Sequence, residues 1–236
     1  MAKYMTKSAF TIGLLVMLMS LPAFGAINKS VTVGPGETSD GASSVNGSVT
    51  VGEDAVVNGK VSTVNGSIRI GDRARVELVK TTNGSLRLGD RVEAAELRTT
   101  NGKITVGTGS SVRGDVATTN GSIKLDDDCS VGGELANVNG DIRLEGSEVA
   151  GDVSTTNGDV KLVRTVLRQD LVVRKPRGWN VDRREPRVVI GPESRIEGDL
   201  VLEREVKLYI SDTAEVGAVK GVMSLDDATR FSGDEP

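Results

Sequence analysis

Histidine is absent from the 236 residues, and aromatic side chains make up only 3% of them. Histidine is the side chain used most often for general acid–base catalysis near neutral pH and for binding transition metals. Its absence excludes most common catalytic arrangements, so we expect no enzyme activity, no cofactor and no metal site. The shortage of aromatic residues indicates that any core consists mainly of aliphatic side chains.

The chain also has a single cysteine and a small net charge. Cys129 is the single cysteine, so no intramolecular disulfide can stabilise the fold. The formal net charge is −4, which gives no indication of a nucleic-acid partner. Glycine is abundant, with 29 residues, as expected of a chain with many tight turns.

The first 25 residues have the composition of a cleavable export signal. Lys3 and Lys7 precede the apolar run Ala9–Leu21, and small residues stand at the −3 and −1 positions of a cut before Ala26. This run is shorter than the roughly 20 residues that a membrane span needs. We therefore expect residues 1–25 to be removed, the mature chain to have no membrane span, and the protein to be periplasmic or secreted in a bacterium.

The Asn-Gly dipeptide recurs at intervals of 18 or 19 residues, and this repeat is the strongest signal in the sequence. The asparagines are Asn46, Asn65, Asn83, Asn101, Asn120, Asn139 and Asn157. Each pair is followed by an apolar–polar–apolar triplet such as Ile68–Ile70, and two further apolar positions come later in every repeat. Alternation of period two marks a half-buried strand. Three inward-facing segments separated by corners therefore predict a coil with three sides.

One coil of this length cannot bury its own apolar row, so the coils must stack and share a core. Partial repeats at both ends bring the number of coils to about ten. We predict an all-β, three-sided solenoid over residues 26–221, followed by a cap or tail at 222–236. The seven asparagines are predicted to form a structural corner ladder with amide hydrogen bonds from coil to coil. The glycine after each asparagine is predicted to supply a positive φ at that corner.

Cys129 occupies a corner position that small residues such as Ala55 and Ser110 take in other coils. We therefore interpret it as a structural residue. The aspartates at 126–128 would raise the pKa of its thiol rather than activate it. Calcium is an alternative partner for these three carboxylates, but we interpret them as a solvated corner.

A row of basic side chains is predicted on one outer face, because the middle residue of each triplet points outward. Stacking aligns five basic groups, which are Arg69, Arg87, Lys124, Arg143 and Lys161. Another side carries an acidic row, made of Glu96, Asp115, Glu134, Asp152, Asp170 and Asp199. Like charges in neighbouring coils repel. The basic row therefore favours an anionic partner or the acidic side of another rod, and plain solubility is the alternative.

The repeat is interrupted by an inserted segment at residues 174–187, which holds six basic residues, two acidic residues and the only tryptophan of the chain. Tryptophan among arginines is typical of a binding surface. Packing of the tryptophan on the flank of the solenoid is the alternative interpretation. The candidate binding residues here, in addition to the basic row, are Arg174, Lys175, Arg177, Trp179, Arg183 and Arg184.

Two kinds of repeat phrase resemble known bacterial β-solenoid families. Ser111–Val116 and Glu148–Val153 are similar to the repeat of the bactofilins, which are polymer-forming cytoskeletal proteins. The Thr-Thr-Asn-Gly phrase, as at Thr118–Gly121, resembles an adhesin-type β-strand repeat family of exported proteins. The resemblance implies a right-handed, three-sided β-helix. Bactofilins lie in the cytoplasm or on the membrane, and the predicted export signal departs from that pattern.

These observations favour an exported, non-catalytic scaffold or adhesin-like protein of the bacterial cell envelope. Its expected partners are an anionic envelope polymer or other copies of itself, end to end or side by side. The alternative is a polysaccharide-active β-helix enzyme, although such enzymes generally have longer coils and a cleft, for which coils of 18–19 residues leave little room. A hexapeptide-repeat acyltransferase would need a catalytic histidine, which this chain lacks.

Overall fold

The computed structural model of the protein describes residues 20–21, 24–176 and 184–236, and within them the chain forms a β-solenoid of parallel strands. Each coil has three sides, and each side pairs with the same side of the neighbouring coils. Eleven strands stack on the first side, against about ten coils predicted from the sequence. Within these described ranges the chain contains no α-helix, and thus none that is long and apolar enough to cross a membrane.

The first side is built from the apolar–polar–apolar triplets. Its strands are Val31–Val33, Val49–Val51, Ile68–Ile70, Leu86–Leu88, Ile104–Val106, Ile123–Leu125, Ile142–Glu145, Val160–Val163, Arg187–Ile190, Lys207–Ser211 and Thr229–Phe231. In the regular triplets the outer two side chains are buried and the middle one faces out, because successive strand residues point to opposite faces. The eleventh strand lies in the segment predicted as a cap or tail.

The second and third sides form one continuous sheet. The second side holds Ser20–Leu21, Thr38–Ser39, Val56–Val57, Ser111–Val112, Ser130–Val131, Glu148–Val149, Val166–Leu167, Arg195–Ile196 and Glu215–Val216. The third side holds Phe24–Ala26, Ala42–Ser44, Val61–Asn65, Val116–Asn120, Leu135–Asn139, Val153–Thr155, Leu171–Val173, Leu200–Leu202 and Val219–Gly221. Two longer strands, Arg75–Asn83 and Glu93–Asn101, span both sides. A short 3-10 turn, Leu225–Asp227, precedes the last strand.

The core is one almost entirely aliphatic column that runs from Val31 to Ile210, through the first ten coils. Ile68, Leu97, Leu135 and Leu171 are among its fully buried members. Burying a leucine or isoleucine side chain contributes about 1.5–3 kcal/mol. Since each side chain packs against the coils above and below as well as within its own coil, the stability of one repeat depends on its neighbours.

The corner between the first and second sides contains one residue in the left-handed backbone region in nearly every coil; the coil that begins with Lys207–Ser211 lacks it. Glycine fills it in some coils, but Asp54 (φ 57°), Arg73 (φ 56°), Arg91 (φ 54°) and Asp128 (φ 58°) fill it in others. Left-handed φ is costly for residues with a Cβ. The stacking of the coils must therefore impose this conformation on the residues that have a Cβ, and because glycine occurs there in only some coils, the sequence does not mark this corner consistently.

The glycines of the Asn-Gly pairs have a different role from the predicted one. Among the seven, Gly140 alone has a positive φ, of 136°. A Cβ on Gly84 would overlap the carbonyl oxygen of Gly66, and a Cβ on Gly102 would overlap that of Gly84. Glycine is therefore needed because successive backbones approach too closely for a side chain. The prediction that glycine supplies a positive φ at this corner is wrong for every pair except Asn139-Gly140.

Residues 1–19 and 22–23, which make up most of the predicted export signal, lie outside the described residues. Ser20–Leu21 pairs with Thr38–Ser39 on the second side, and Phe24–Ala26 pairs with Ala42–Ser44 on the third side. The second of these pairings spans the predicted cut before Ala26. Cleavage of the signal, like the right-handed sense of the coil, stays a prediction.

Candidate functional site

The asparagines form a ladder at the corner between the third and first sides. Each Nδ2 group donates a hydrogen bond of 2.6–2.9 Å to the Oδ1 atom of the asparagine one coil earlier. The ladder contains the seven predicted residues Asn46, Asn65, Asn83, Asn101, Asn120, Asn139 and Asn157, and the structure adds Asn28. A row of exposed side chains is thus held in one orientation along most of the solenoid.

The ladder ends at Asn157, where the inserted segment replaces the next Asn-Gly pair. Arg204 donates from Nη1 to Oδ1 of Asn157 (3.1 Å) and to the carbonyl of Thr156 (3.2 Å). Its Nη2 donates to the carbonyl of Arg184 at 2.7 Å. A guanidinium group suits this position because it carries several donors in a rigid fork. Arg204 therefore caps the ladder and also holds the base of the inserted segment.

A second, buried ladder lies two residues before each asparagine. Thr63, Thr81, Thr99 and Thr118 each donate a hydroxyl hydrogen bond of 2.8–3.1 Å to the carbonyl of the Asn-Gly glycine in the previous coil. These threonines are at most 6% exposed. The hydroxyls satisfy carbonyl groups that the close approach of the coils takes away from water.

Asn137 interrupts this threonine ladder. Its Nδ2 donates to the carbonyl of Gly121 (2.8 Å) and also to the carbonyl of Gly140 (2.6 Å), which the ladder would assign to Thr155. The Oδ1 atom of Asn137 and the Oγ1 atom of Thr155 are left without a hydrogen-bond partner, although the residues are only 3% and 0% exposed. This coil is also the one in which the Asn-Gly glycine has a positive φ.

The basic row lies in register on the first side, with Arg69 beside Arg87 and Arg143 between Lys124 and Lys161. Its last three members are neutralised by carboxylates, in the pairs Lys124–Asp126 (2.6 Å), Arg143–Asp141 (2.8 Å) and Lys161–Glu235 (2.5 Å). The hydrogen bond to Asp126 raises the pKa of the Lys124 ammonium. These three cations are therefore already engaged within the chain.

Arg69 and Arg87 differ from the rest of the row. Both are exposed, and neither forms an ion pair with any residue that the structure describes. They line an open groove of about 520 Å³ whose other lining residues include Thr50, Gly52, Gly71, Gly89, Asp90, Thr105, Gly107 and Asp126. Guanidinium forks bind carboxylates and phosphates with two parallel hydrogen bonds.

The other end of the row is covered by the residues around Glu235. Besides the Lys161 pair, Nη2 of Arg187 donates to the carbonyl oxygen of Pro236 at 3.1 Å. These contacts enclose a pocket of about 250 Å³ that Arg143 also lines. The hydrogen bond from Lys161 lowers the pKa of the Glu235 carboxyl. Within the described residues, the part of the basic row without ion pairs is thus the Arg69–Arg87 end.

The acidic row is less repulsive than its sequence suggests, because its carboxylates accept backbone hydrogen bonds from the next coil. Oδ1 of Asp115 accepts from the amide of Glu134 (3.0 Å), and Oδ1 of Asp170 accepts from the amide of Asp199 (2.8 Å). Arg98 also forms ion pairs with Glu96 and Asp115. The acidic row is therefore part of the corner structure of the solenoid.

The inserted segment joins the solenoid through its two ends. The amide of Arg174 donates to the carbonyl of Thr155 (2.8 Å), and the amide of Lys175 donates to a carboxylate oxygen of Glu203 (3.0 Å). Arg184 forms an ion pair with Asp159 at 2.6 Å. The side chains of Arg174 and Lys175 are exposed. The other three candidates in the segment, Arg177, Trp179 and Arg183, lie outside the described residues.

Cys129 is 2% exposed, and its Sγ donates to the carbonyl of Gly107 at 3.1 Å. Burial raises the pKa of the thiol, and the charge of Asp126 raises it further. Asp126 is paired with Lys124, and Asp127 is paired with Arg164 at 2.8 Å. Two of the three aspartates before the cysteine therefore have cationic partners within the chain.

Sequence reasoning missed the residues that neutralise the basic row and cap the ladder. Asp141 and Asp126 could have been found from the sequence, because each stands two residues from the cation that it neutralises. Glu235 and Arg204 carried none, because they lie 74 and 47 residues from their partners in the chain. Only the stacking of distant coils brings those pairs together.

No family model, curated protein or solved structure matches the chain. Its stacked parallel strands identify it as a β-solenoid repeat protein.

Proposed function

We propose that this protein is an exported, non-catalytic scaffold of the bacterial cell envelope, and that it binds an anionic envelope polymer along the first side of its solenoid. One observation carries the proposal. Arg69 and Arg87 are exposed in adjacent coils, lie beside a glycine-lined groove, and have no ion-pair partner among the described residues. The remaining basic groups of the row are paired with carboxylates.

Two unpaired guanidinium groups in neighbouring coils repel each other. At a coil spacing of about 4.8 Å the repulsion amounts to about 1 kcal/mol or less in water. A bound carboxylate or phosphate would remove that repulsion and add charge-assisted hydrogen bonds. A linear polyanion that runs parallel to the solenoid axis would meet both groups in succession, whereas a small anion would meet one or both at a single point.

The fold supports a scaffold role because it holds these groups at a fixed spacing. The strands pair continuously from coil to coil, and the asparagine and threonine ladders tie the same corner twice. A rigid binding surface loses little conformational entropy when it binds a ligand. The predicted export signal supports an envelope location, and the adhesin-type and bactofilin-like phrases support an architectural role with self-association as a further property.

The proposal can be tested with the double variant Arg69→Gln/Arg87→Gln of the chain that begins at Ala26. The probes are polygalacturonate, which carries carboxylates, and linear polyphosphate, and binding is measured by calorimetry at low and moderate salt. We expect the affinity to fall about tenfold or more, since hydrogen bonds to charged groups contribute about 1.5–3 kcal/mol each. Wild-type binding should weaken as salt is added, because exposed charges are screened.

The matched control is Arg75→Gln/Arg113→Gln, which removes the same charge from arginines that are paired with Glu93 and Glu77. This control should retain nearly all of the affinity. If both double variants lose affinity equally, binding depends on net charge alone. If the Arg69→Gln/Arg87→Gln variant binds as tightly as the wild type, the groove is not the binding surface and the proposal is wrong.

A further inference from the structure

The seven Asn-Gly pairs have nearly the same local sequence but different hydrogen bonding at the glycine nitrogen. We propose that Asn46-Gly47 and Asn139-Gly140 are sites of spontaneous deamidation and that the solenoid protects the pairs between them. The modification requires no enzyme, ligand or cofactor. It depends only on whether the backbone nitrogen of the glycine can reach the side-chain carbon of the asparagine.

The chemistry starts when the glycine nitrogen attacks Cγ of the asparagine and gives up its proton. The carboxamide nitrogen takes up a proton and leaves as ammonia, which closes a succinimide ring. Water then opens the ring at one of its two carbonyl carbons and leaves either aspartate or isoaspartate. Each step is a substitution or a hydrolysis, so no oxidant or reductant is involved. Glycine favours the attack because it has no side chain to obstruct the ring.

Four pairs are protected because the nucleophile is already engaged. The amides of Gly66, Gly84, Gly102 and Gly121 donate to the carbonyl of the asparagine in the next coil, at 2.9–3.1 Å. Their asparagines are Asn65, Asn83, Asn101 and Asn120, and each carboxamide both donates and accepts within the ladder. Asn46 and Asn139 form the same two side-chain bonds within the ladder, so the engaged glycine amide is what distinguishes the four protected pairs.

The amides of Gly47 and Gly140 form no such bond with the described residues. At Gly140 the cause is Asn137, whose amide holds the carbonyl of Gly140 at 2.6 Å. The glycine takes a φ of 136°, which no other glycine of the seven pairs shares. The side chains of Asn46 and Asn139 are exposed, so water can reach both the nucleophile and the leaving group.

Asn157-Gly158 has an intermediate character. The amide of Gly158 has no partner among the described residues, but Gly158 is buried and the carboxamide of Asn157 accepts a hydrogen bond from Arg204. We therefore expect this pair to react more slowly than Asn46 and Asn139. Deamidation of Asn139 would remove the donor that now reaches Oδ1 of Asn120, so the product lacks one bond of the ladder.

The test is to incubate the folded chain that begins at Ala26 at mildly alkaline pH and to follow each pair by peptide mass spectrometry, with isoaspartate resolved chromatographically. Asn46 and Asn139 should react about tenfold faster than the four protected asparagines. A factor of ten corresponds to the free energy of about one ordinary hydrogen bond, which is the bond that the glycine amide must break. In denaturant all seven rates should become similar, because the local sequences are alike.

Asn137→Thr should slow the reaction at Asn139 to the rate of the protected pairs and leave Asn46 unchanged as an internal control. Thr81→Asn places the same amide two residues before Asn83 and should accelerate deamidation there. A variant that fails to fold would accelerate all pairs together, which distinguishes unfolding from the local effect. Equal rates at all seven pairs of the folded protein, or an unchanged rate at Asn139 in the folded Asn137→Thr variant, would overturn the proposal.

Discussion

Replacing Asn137 with threonine is expected to stabilise the protein. In the wild type the Asn137 amide makes two hydrogen bonds, to the carbonyls of Gly121 and Gly140, and leaves its own Oδ1 and the hydroxyl of Thr155 unpaired. A threonine at this position would donate to Gly121, as Thr118 donates to Gly102. The carbonyl of Gly140 would then be available to Thr155. The number of hydrogen bonds stays the same, the unpaired Oδ1 atom is removed with the asparagine, and the Thr155 hydroxyl gains a partner.

The magnitude follows from the two unpaired atoms. A buried polar group without a partner costs about 1–3 kcal/mol, so Asn137→Thr should stabilise the fold by about 2 kcal/mol. For a chain of this size that corresponds to a rise in melting temperature of about 4–8 °C. Threonine also has a higher strand propensity than asparagine, which acts in the same direction.

Thermal and urea unfolding followed by circular dichroism would measure the change, with midpoints compared because repeat arrays can depart from two-state unfolding. Thr81→Asn is the matched control, since its amide would compete with Thr99 for the carbonyl of Gly84. This control should lower stability by a similar amount. A neutral or destabilising Asn137→Thr, together with a neutral Thr81→Asn, would refute the assignment of the threonine hydroxyls to the buried ladder.

Two further predictions concern the corners. Gly102→Ala should destabilise the fold by about 1–3 kcal/mol because its Cβ would overlap the carbonyl of Gly84. Gly109→Asp should cost less, because Gly109 lies at the left-handed corner that holds Asp54 and Asp128 in other coils. Equal urea midpoints for the two variants would contradict this expectation. The Cys129 thiol, whose pKa is raised by burial, should react with a disulfide reagent far more slowly in the folded than in the unfolded chain. Because the folded state favours the neutral thiol, the contribution of Cys129 to stability is present below the ordinary thiol pKa and is lost as pH rises through the raised pKa of the folded state. Rapid labelling of the native protein at neutral pH would contradict the buried placement of this side chain.

The sequence predicted the parts of the fold that depend on a regular period. Triplets such as Ile68–Ile70 and Ile104–Val106 alternate because one face of each strand is buried, and the same signal is present in almost every coil. The eleventh coil was missed because a 3-10 turn, Leu225–Asp227, separates its strand Thr229–Phe231 from the preceding repeat and hides the period. A regular period predicts coils only where each corner has the same length.

The electrostatics of the candidate site could be predicted only in part. The alignment of Arg69 with Arg87 follows from the repeat, because neighbouring coils place equivalent residues side by side. The neutralisation of Lys161 by Glu235 depends on where the last residues fold, and no periodic signal encodes that position. The role of the Asn-Gly glycines was misjudged because the close approach of two backbones is a property of stacked coils, which a single repeat does not contain.

The asparagine ladder has a direction, since every amide donates toward the earlier coil and every oxygen accepts from the later one. Its eight aligned amide dipoles therefore add up and polarise one another, as in other hydrogen-bonded chains. One pole, at Asn28, presents N–H groups, and the opposite pole, at Asn157, presents an oxygen. The cationic Arg204 stands at the electronegative pole, as basic residues do at the carboxyl end of a helix. The ladder is thus electrically polar from end to end, and a cation of the chain itself stands at its negative pole.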